Sequence, residues 1–144
     1  MFAAEPIAEG EVLAVWGGFI VQTAERHQLP EIVERYTIQI EQELHLMCGP
    51  LVDDAEYFNH SCDPNAGLQG QVVLVAMRPV AAGEHVCFDY AMSESDPTFE
   101  MSCACGSALC RHHVTGNDWR LPDLQRRYRG YFSPYIQRMI DAAR

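Results

Sequence analysis

Apolar and polar positions along this chain predict short strands over roughly its first ninety residues. Residues 36–46 alternate between the two classes except at Gln42, which predicts a half-buried hairpin that turns near Gln42 and keeps its polar face outward. We expect this hairpin to end at Cys48-Gly49-Pro50. Other regions rich in β-branched or aromatic residues each predict a strand: 11–16, 19–21, 72–77 and 84–90.

Helices are predicted mainly in the tail. Pro122 can begin one helix, Ser133-Pro134 carries the start signal of a second, and Gly130 separates the two. We interpret both helices as packing against the core or against a second copy of the chain. A shorter helical turn is predicted at 31–35, which directly follows a proline.

Three stretches between the strands and the tail predict mostly turns and loop. Residues 53–58 predict a single helical turn capped by Asp53 or Asp54, and residues 59–70 are rich in turn formers. Residues 91–118 show little periodicity. A loop of that length inside a compact domain is usually functional or is held in place by another group.

Composition and charge narrow the class of protein. The 144 residues are 48% hydrophobic and 21% charged, which is typical of a globular domain that can bury a core. Twenty acidic and ten basic residues give a net charge of -10, which argues against nucleic-acid binding and favours a basic protein partner, although solubility alone also explains an acidic chain.

The residue pattern predicts neither a membrane span nor a secretory signal. No apolar run approaches the roughly 20 residues of a membrane span, and the first residues lack the pattern of a secretory signal. We therefore expect no membrane association and a cytoplasmic location, or a nuclear one in a eukaryote, where thiols stay reduced.

Six cysteines in a reducing compartment need an explanation other than disulfides. Three of them, Cys103, Cys105 and Cys110, lie within eight residues, and such clustering favours a structural zinc ion with four ligands. Spacing alone leaves the fourth ligand open among five candidates: Cys62, Cys48, Cys87, His112 and His113. The competing interpretations are free thiols in a loop and a thiol-based redox or metal sensor.

Three motifs, in this order and spacing, resemble the SET-domain protein lysine methyltransferases that carry a post-SET zinc motif. They are Asn59-His60-Ser61-Cys62-Asp63-Pro64-Asn65, Gly83-Glu84-His85-Val86-Cys87-Phe88-Asp89-Tyr90 and Cys103-Ala104-Cys105-Gly106-Ser107-Ala108-Leu109-Cys110-Arg111. The resemblance runs from about Phe2 through Arg111 and does not include the tail.

The resemblance implies a mostly β fold of small curved sheets around a knot-like crossing, followed by a zinc loop and the tail helices. The chain then divides into a SET domain at 1–92, a post-SET segment at 93–118 and a helical tail at 119–144. The implied activity is methyl transfer from S-adenosylmethionine to the ε-amine of a lysine in a protein substrate.

The resemblance also implies roles for particular residues. Asn59 and His60 would contact S-adenosylmethionine, and Tyr90 would be the catalytic residue where the cofactor meets the substrate lysine. Cys62 would be the fourth zinc ligand, beside Cys103, Cys105 and Cys110. Read without the neighbouring motifs, Tyr90 is an ordinary core aromatic and His60 a buried, hydrogen-bonded histidine.

The expected chemistry calls for an apolar channel. Lysine has a pKa near 10.4 but must react as the neutral amine, and apolar surroundings lower its pKa because they disfavour the charged form. Phe88 shares a face with Tyr90 on the predicted strand, and Trp16 and Tyr36 are further channel candidates; Trp16 equally suits a place under the sheet. In the family, phenylalanine at the position of Phe88 leaves room for more than one methyl group, which implies di- or trimethylation.

One feature departs from the family. A Gly-x-Gly pair that approaches the cofactor usually precedes the Phe-Ala that is Phe2-Ala3 here, and this chain has Met1 in that place. We expect either that the chain starts inside the domain or that one wall of the cofactor pocket is missing. The alternative function is therefore a non-catalytic, zinc-containing SET-like module that binds a basic peptide or protein.

Overall fold

Three small β-sheets form the framework in the described part of the chain. The computed structural model describes residues 1–47 and 54–143, so that Cys48-Gly49-Pro50 and Asp53 lie outside the described residues. The strands are β1 (Val12–Val15), β2 (Phe19–Gln22), β3 (Thr37–Glu41), β4 (Leu44–Met47), β5 (Asn59–His60), β6 (Ala66–Gln69), β7 (Val73–Ala76), β8 (Cys87–Phe88), β9 (Glu100–Ser102) and β10 (His113–Thr115). The α-helices are α1 (Thr23–Arg26), α2 (Glu31–Glu34), α3 (Pro122–Arg127) and α4 (Pro134–Ala142), and 3-10 turns cover Asp54–Tyr57, Tyr90–Met92 and Asp118–Arg120.

The five-stranded sheet, in the order β1-β7-β6-β8-β5, brings two of the sequence motifs together. Strands β5 and β8 run parallel, with Asn59 beside Cys87 and His60 beside Phe88. Parallel neighbours cannot be joined by a tight turn, so the long excursion between them is a requirement of the pairing. In consequence, two motifs that are about thirty residues apart in the sequence lie on adjacent strands.

The strand predicted over 84–90 is only two residues long, and β5 and β6 lie within residues 59–70, which were predicted as turns. Asn65 contributes to the shortness of the strand predicted over 84–90. It is buried, and its side chain bonds to the backbone in the place of a neighbouring strand. Its amide donates to the His85 carbonyl at 2.9 Å, and its side-chain oxygen accepts the Cys87 N–H at 3.0 Å. A side chain that satisfies the backbone in this way substitutes for ladder hydrogen bonds, so that the regular strand begins only at Cys87, and the 3-10 turn at Tyr90–Met92 follows its end.

The hairpin predicted from residues 36–46 is present as β3 and β4, which form a sheet with β2. The prediction that its polar face points outward is wrong for Gln39 and His45, which are 1% and 0% exposed. Gln39 accepts a hydrogen bond from the Ser95 N–H at 2.6 Å, and His45 lies 3.2 Å from the Thr23 hydroxyl. The face is covered because α1 and the segment after Tyr90 pack over it.

A two-stranded sheet of β9 and β10 interrupts the segment that was predicted as loop, and it brackets the three clustered cysteines. The predicted tail helices are confirmed as α3 and α4. Their apolar side chains join the same core as the five-stranded sheet, including Leu124, Tyr128, Tyr135, Ile136 and Ile140. Within the described ranges, the helices are all too short or too polar to cross a membrane.

Candidate functional site

A cavity of about 430 Å³ opens where the two larger sheets meet the segment that follows Tyr90. Its walls include six aromatic side chains: Trp16, Tyr36, Phe58, Phe88, Tyr90 and Phe99. The ring centroids of Phe88 and Tyr90 are 5.0 Å apart, and those of Tyr90 and Phe99 are 6.4 Å apart. Aromatic faces exclude water and attract a cation, so that the cavity suits an alkylammonium group.

The three channel candidates, Phe88, Trp16 and Tyr36, all border this cavity. Trp16 combines the two interpretations offered for it, because it is buried in the core and also lines the cavity. Its indole N–H donates to the Ala55 carbonyl at 2.9 Å, which fixes the plane of the ring. Tyr36 packs edge-on against Tyr57, with 5.7 Å between the ring centroids.

Tyr90 begins a 3-10 turn rather than continuing the strand, and it projects into the cavity. Its hydroxyl donates to the Phe58 carbonyl at 3.2 Å. Burial, together with the nearby Cys87 thiol, raises the pKa of Tyr90 to about 12. Tyr90 therefore stays protonated at neutral pH, where its hydroxyl can orient a ligand by hydrogen bonding but cannot serve as a general base.

His60 links the backbone of Tyr90 to the sulfur of Cys62. Its Nδ1 accepts the Tyr90 N–H at 3.2 Å, so that the ring proton must lie on Nε2, which is 3.3 Å from the Cys62 sulfur. Burial lowers the pKa of His60 and keeps the ring neutral. The side chain of Asn59, the neighbour of His60 in β5, is exposed at the sheet edge and accessible to a ligand.

The structure brings together the four predicted metal ligands Cys62, Cys103, Cys105 and Cys110, whose sulfur atoms all lie within 4.8 Å of one another. Tetrahedral zinc with Zn–S bonds of about 2.3 Å places its sulfurs about 3.8 Å apart, and the Cys62 and Cys103 sulfurs are 3.9 Å apart. The cluster is therefore compatible with a structural zinc ion. Its all-cysteine donor set matches a closed structural site rather than a catalytic one.

Two N–H groups point at the sulfur of Cys62, as expected for the thiolate of a metal site. One is the His60 ring N–H, and the other is the Arg111 backbone N–H at 3.3 Å. The other candidates for the fourth ligand have different neighbours: the Cys87 sulfur lies 3.2 Å from Nδ1 of His85, and His113 lies 3.7 Å from Glu100. His112 lies beside Cys110, with its Nδ1 3.8 Å from the sulfur, and Cys48 is outside the described residues.

Arg111 is a structural residue that sequence analysis did not assign. Its guanidinium makes two hydrogen bonds to Asp89, at 2.6 and 2.8 Å, and one to Asp118 at 2.8 Å. Asp89 is fully buried and directly precedes Tyr90. The ion pair therefore joins the metal loop, which carries Cys103, Cys105 and Cys110, to the cavity wall. The only sequence signal was position, since Arg111 follows the last clustered cysteine.

The tail also reaches the metal site, although it lies outside the resemblance. The Arg127 guanidinium donates to the Cys62 carbonyl at 2.9 Å. The buried Tyr128 hydroxyl lies 2.9 Å from a carboxylate oxygen of Asp89 and 3.2 Å from the same Cys62 carbonyl. Helix α3 therefore supports both the first metal ligand and the residue that precedes Tyr90.

Phe99 and Glu94 are two further members of the cavity wall that sequence analysis missed. Both lie in the segment without periodicity, where neither an aromatic nor a carboxylate carries a local signal of burial. Burial raises the pKa of Glu94 to about 7, well above that of an exposed glutamate. A carboxylate whose pKa is raised toward neutral pH inside a cavity is a candidate functional residue.

Comparison with known proteins gives one family and a consistent set of relatives. The family model described as the SET domain matches residues 1–91. A histone-lysine N-methyltransferase, H3 lysine-4 specific, of Cryptococcus neoformans is 29% identical over 125 residues, which are 77% of this chain and 8% of that protein. The histone-lysine N-methyltransferase ash1 of Drosophila melanogaster is 27% identical over 131 residues, which are 83% of this chain and 6% of that protein.

Among solved structures, KRYPTONITE in complex with mCHG DNA and SAH matches with a TM-score of 0.62 at 24% identity, over 78% of this chain and 26% of that one. This likeness concerns the fold. The chain spans less than a tenth of the length of the two curated relatives above.

Proposed function

This chain belongs to the SET-domain family, and we propose that it is an S-adenosylmethionine-dependent protein lysine N-methyltransferase. The observation that carries the proposal is the protonated Tyr90 in the aromatic cavity, next to the sheet edge that presents Asn59 and His60. The relatives named above are histone-lysine N-methyltransferases. The solved structure of similar fold contains SAH, which is what S-adenosylmethionine becomes when it has given up its methyl group.

The proposed cofactor site consists of Asn59, His60 and Tyr90. S-adenosylmethionine supplies a methyl group on a positively charged sulfur, which already activates it for transfer, so that the protein contributes positioning and electrostatics. The exposed Asn59 amide can bond the cofactor directly. Because both ring nitrogens of His60 are engaged within the chain, we propose that His60 shapes this edge mainly through its backbone and ring face.

The proposed substrate site is the aromatic cavity. Phe88 and Trp16 form an apolar wall that favours the neutral form of a lysine amine over the charged form, and Tyr36 also borders the cavity. We propose that the Tyr90 hydroxyl orients the amine. Phe88 places no hydroxyl in the cavity, which supports transfer of more than one methyl group.

The four cysteines would hold zinc, and the ion would order the segment between β9 and β10 beside the cavity. We propose this as the division of the chain: a SET domain at 1–92, a zinc segment at 93–118 and a tail at 119–144. The SET domain and the tail share one core, whereas the zinc segment has a separate buried cluster around Cys62, Cys103 and Val114. The Asp89–Arg111 contact joins the zinc segment to the rest, so that we expect this segment to unfold more readily than the main core.

We propose a lysine-containing segment of a basic protein as the substrate, because the net charge of -10 attracts such a partner and repels nucleic acid. In a eukaryotic cell this substrate class fits a nuclear location, and otherwise a cytoplasmic one. A homodimer through the tail remains a prediction, and it would need surfaces other than Tyr135, Ile136 and Ile140, which are buried within the chain.

The test is transfer of radiolabelled methyl groups from S-adenosylmethionine to histones and to a lysine-rich peptide. This chain contains no lysine, so that a labelled methyl-lysine can only come from the added substrate. We expect Tyr90→Phe, which removes one hydroxyl, to lower the rate by about 10²-fold. If peptide binding were detected by calorimetry but neither cofactor binding nor transfer, the alternative of a non-catalytic module would hold instead.

A further inference from the structure

We propose that Glu94 is a catalytic residue of the cavity, where its carboxylate pairs with the substrate ammonium group and removes one proton before methyl transfer. The inference rests on the proposed function and adds a proton acceptor to it. Tyr90 cannot fill this role because its hydroxyl stays protonated, with a pKa of about 12. A lysine ammonium group has an ordinary pKa near 10.4, so that at neutral pH some group must take its proton.

The position of Glu94 follows from the turn that begins at Tyr90. The backbone N–H of Glu94 donates to the Tyr90 carbonyl at 2.8 Å, so that the two residues lie one turn apart. Both side chains line the same cavity, with Phe88 and Phe99 among the apolar residues between which a lysine side chain would lie. Glu94 is half-buried, so that it borders the cavity without being sealed in the core.

The carboxylate of Glu94 is held in place by the backbone. One of its oxygens accepts the Asp96 N–H at 2.8 Å. Glutamine offers the same acceptor, so that a Glu94→Gln variant can keep this contact and lose only the acid–base group. A change in activity of that variant would therefore report on the proton rather than on the conformation of the segment.

Glu94 interacts electrostatically with several charged or titratable groups: Arg26 from α1, Asp96 from its own segment and Tyr135 from α4. Glu56, Arg35 and Tyr90 line the same cavity. The charge of Arg26 lowers the pKa of Glu94, but Arg26 also has other partners. Its Nε donates to Thr37 at 2.8 Å, and its Nη1 lies 3.4 Å from both Glu34 and Asp96.

The electrostatic balance leaves Glu94 suited to accept a proton. Burial raises its pKa to about 7, and the Asp96 N–H and the charge of Arg26 offset this rise only in part. The ideal general base titrates near the working pH, because it is then deprotonated in a large fraction of molecules and still basic. A bound ammonium group would favour the deprotonated form of Glu94 at the start of the step, and the apolar wall of the cavity would lower the pKa of the amine that gives up its proton.

The step balances as follows. A Glu94 oxygen forms an O–H bond as one N–H bond of the lysine ammonium breaks, and the electron pair stays on the nitrogen. That pair forms the new N–C bond with the methyl group, while the electrons of the C–S bond pass to the sulfur. The product is a methylammonium group and a neutral thioether, and Glu94 releases its proton to water at the cavity opening. Each further methylation requires the same deprotonation again.

The test compares Glu94→Gln with the wild type by measuring kcat/KM for methyl transfer between pH 6 and pH 10. We expect the wild-type rate to rise through a pKa of about 7, because the carboxylate form is active above it. We expect Glu94→Gln to be about 10²-fold slower at pH 7, and to approach the wild-type rate only at high pH, where lysine itself is neutral. Glu94→Asp restores a carboxylate and should regain part of the rate together with the rise near pH 7.

The control is Glu100→Gln, which removes an exposed carboxylate on β9 that lies 3.7 Å from His113. It should leave the pH profile unchanged, and circular dichroism should show that all variants are folded. An active wild type whose profile is shared by Glu94→Gln would overturn the role of Glu94 and leave the proposed function standing. A wild type that transfers no methyl group to any lysine substrate would overturn both.

Discussion

Arg111 and Asp89 form a two-pronged ion pair, with nitrogen–oxygen distances of 2.6 and 2.8 Å, that joins the metal loop to the residue before Tyr90. Asp89 is fully buried, and the side chain of Arg111 is 14% exposed. Both charges are therefore largely removed from water, and each is stabilised mainly by the opposite charge of its partner. It connects the order of the metal loop to the position of the proposed catalytic tyrosine.

Replacing Arg111 by leucine should lower the free energy of unfolding by about 3–5 kcal/mol, because it leaves the Asp89 carboxylate buried without its counter-charge. Urea denaturation of both proteins measures the difference. Arg126→Leu is the matched control, since Arg126 and Asp123 form a pair whose side chains are 67% and 64% exposed. Equal losses in the free energy of unfolding of the two variants would show that the buried pair contributes no more to stability than the exposed one.

Removing the metal should release the segment between β9 and β10 while the five-stranded sheet remains folded. We expect a chelator, or Cys105→Ser, to increase hydrogen exchange in residues 100–115 and to abolish cofactor binding, because metal binding supplies the energy that orders this segment. Hydrogen exchange followed by mass spectrometry checks this by region. Simultaneous loss of protection in β6 and β7 would contradict a local role for the metal.

Phe88→Tyr should shift the products of the proposed enzyme toward monomethyl-lysine. The new hydroxyl would lie at the cavity wall beside Tyr90, where it can hold a water molecule that takes the space of a second methyl group. Mass spectrometry of a lysine peptide under excess cofactor distinguishes the products. If wild type yields only monomethyl-lysine, the prediction drawn from Phe88 is wrong.

Gly116→Ala should destabilise the zinc segment, in which Gly116 packs against the backbone of Asp96, two residues after Glu94. A Cβ atom at Gly116 would lie well inside contact distance of the Asp96 carbonyl oxygen, and such overpacking costs about 1–3 kcal/mol. Thermal unfolding measures the loss. Gly17→Ala is the control, because no described atom lies within 4 Å of a Cβ at that position and its φ is not positive.

His45 should make the chain less stable in mild acid. Burial lowers the pKa of His45 to about 4, with a further contribution from the charge of Arg26. An unfolded chain binds the proton near pH 6.5 and the folded chain does not, so that stability falls as the pH drops from about 6.5 toward 4, by about 3 kcal/mol in total. The effect should be visible as a lower midpoint of urea unfolding at pH 4.5 than at pH 7.

A His45→Leu variant separates this effect from general acid sensitivity. Leucine removes the titrating group together with the contact between Nε2 of His45 and the Thr23 hydroxyl, but it breaks no bond at Nδ1, which has no hydrogen-bond partner among the described residues. We expect the variant to lose most of the stability change between pH 6.5 and 4. His113→Leu, at a side chain that is 61% exposed, should keep it.

Much of the site was predictable because its residues lie in short, dense motifs. The spacing of Cys103, Cys105 and Cys110 requires only that a loop of eight residues fold back on itself. Phe88 and Tyr90, which were predicted to share a pocket, both line the cavity, although Tyr90 begins a turn rather than extending the strand. The resemblance then named Cys62 as the fourth ligand, and the structure has its sulfur 3.9 Å from that of Cys103.

Other features escaped prediction because local periodicity reports only on near neighbours. The polar residues Gln39 and His45 follow the pattern of an exposed face, yet segments distant in sequence cover them. Likewise, nothing near Asn65 indicates that its amide would hold the backbone of His85 and Cys87.

Sequence alone was sufficient for the motifs, the two tail helices and the candidate ligands, since each depends on residue types within a short window. The path of the chain was needed to bring Arg111 onto Asp89, to lay Tyr128 against Cys62 and to turn Glu94 into the cavity. These contacts join residues separated by up to 66 positions. Burial and counter-charge arise from such distant neighbours, so that the chemistry of these groups is a property of the folded chain.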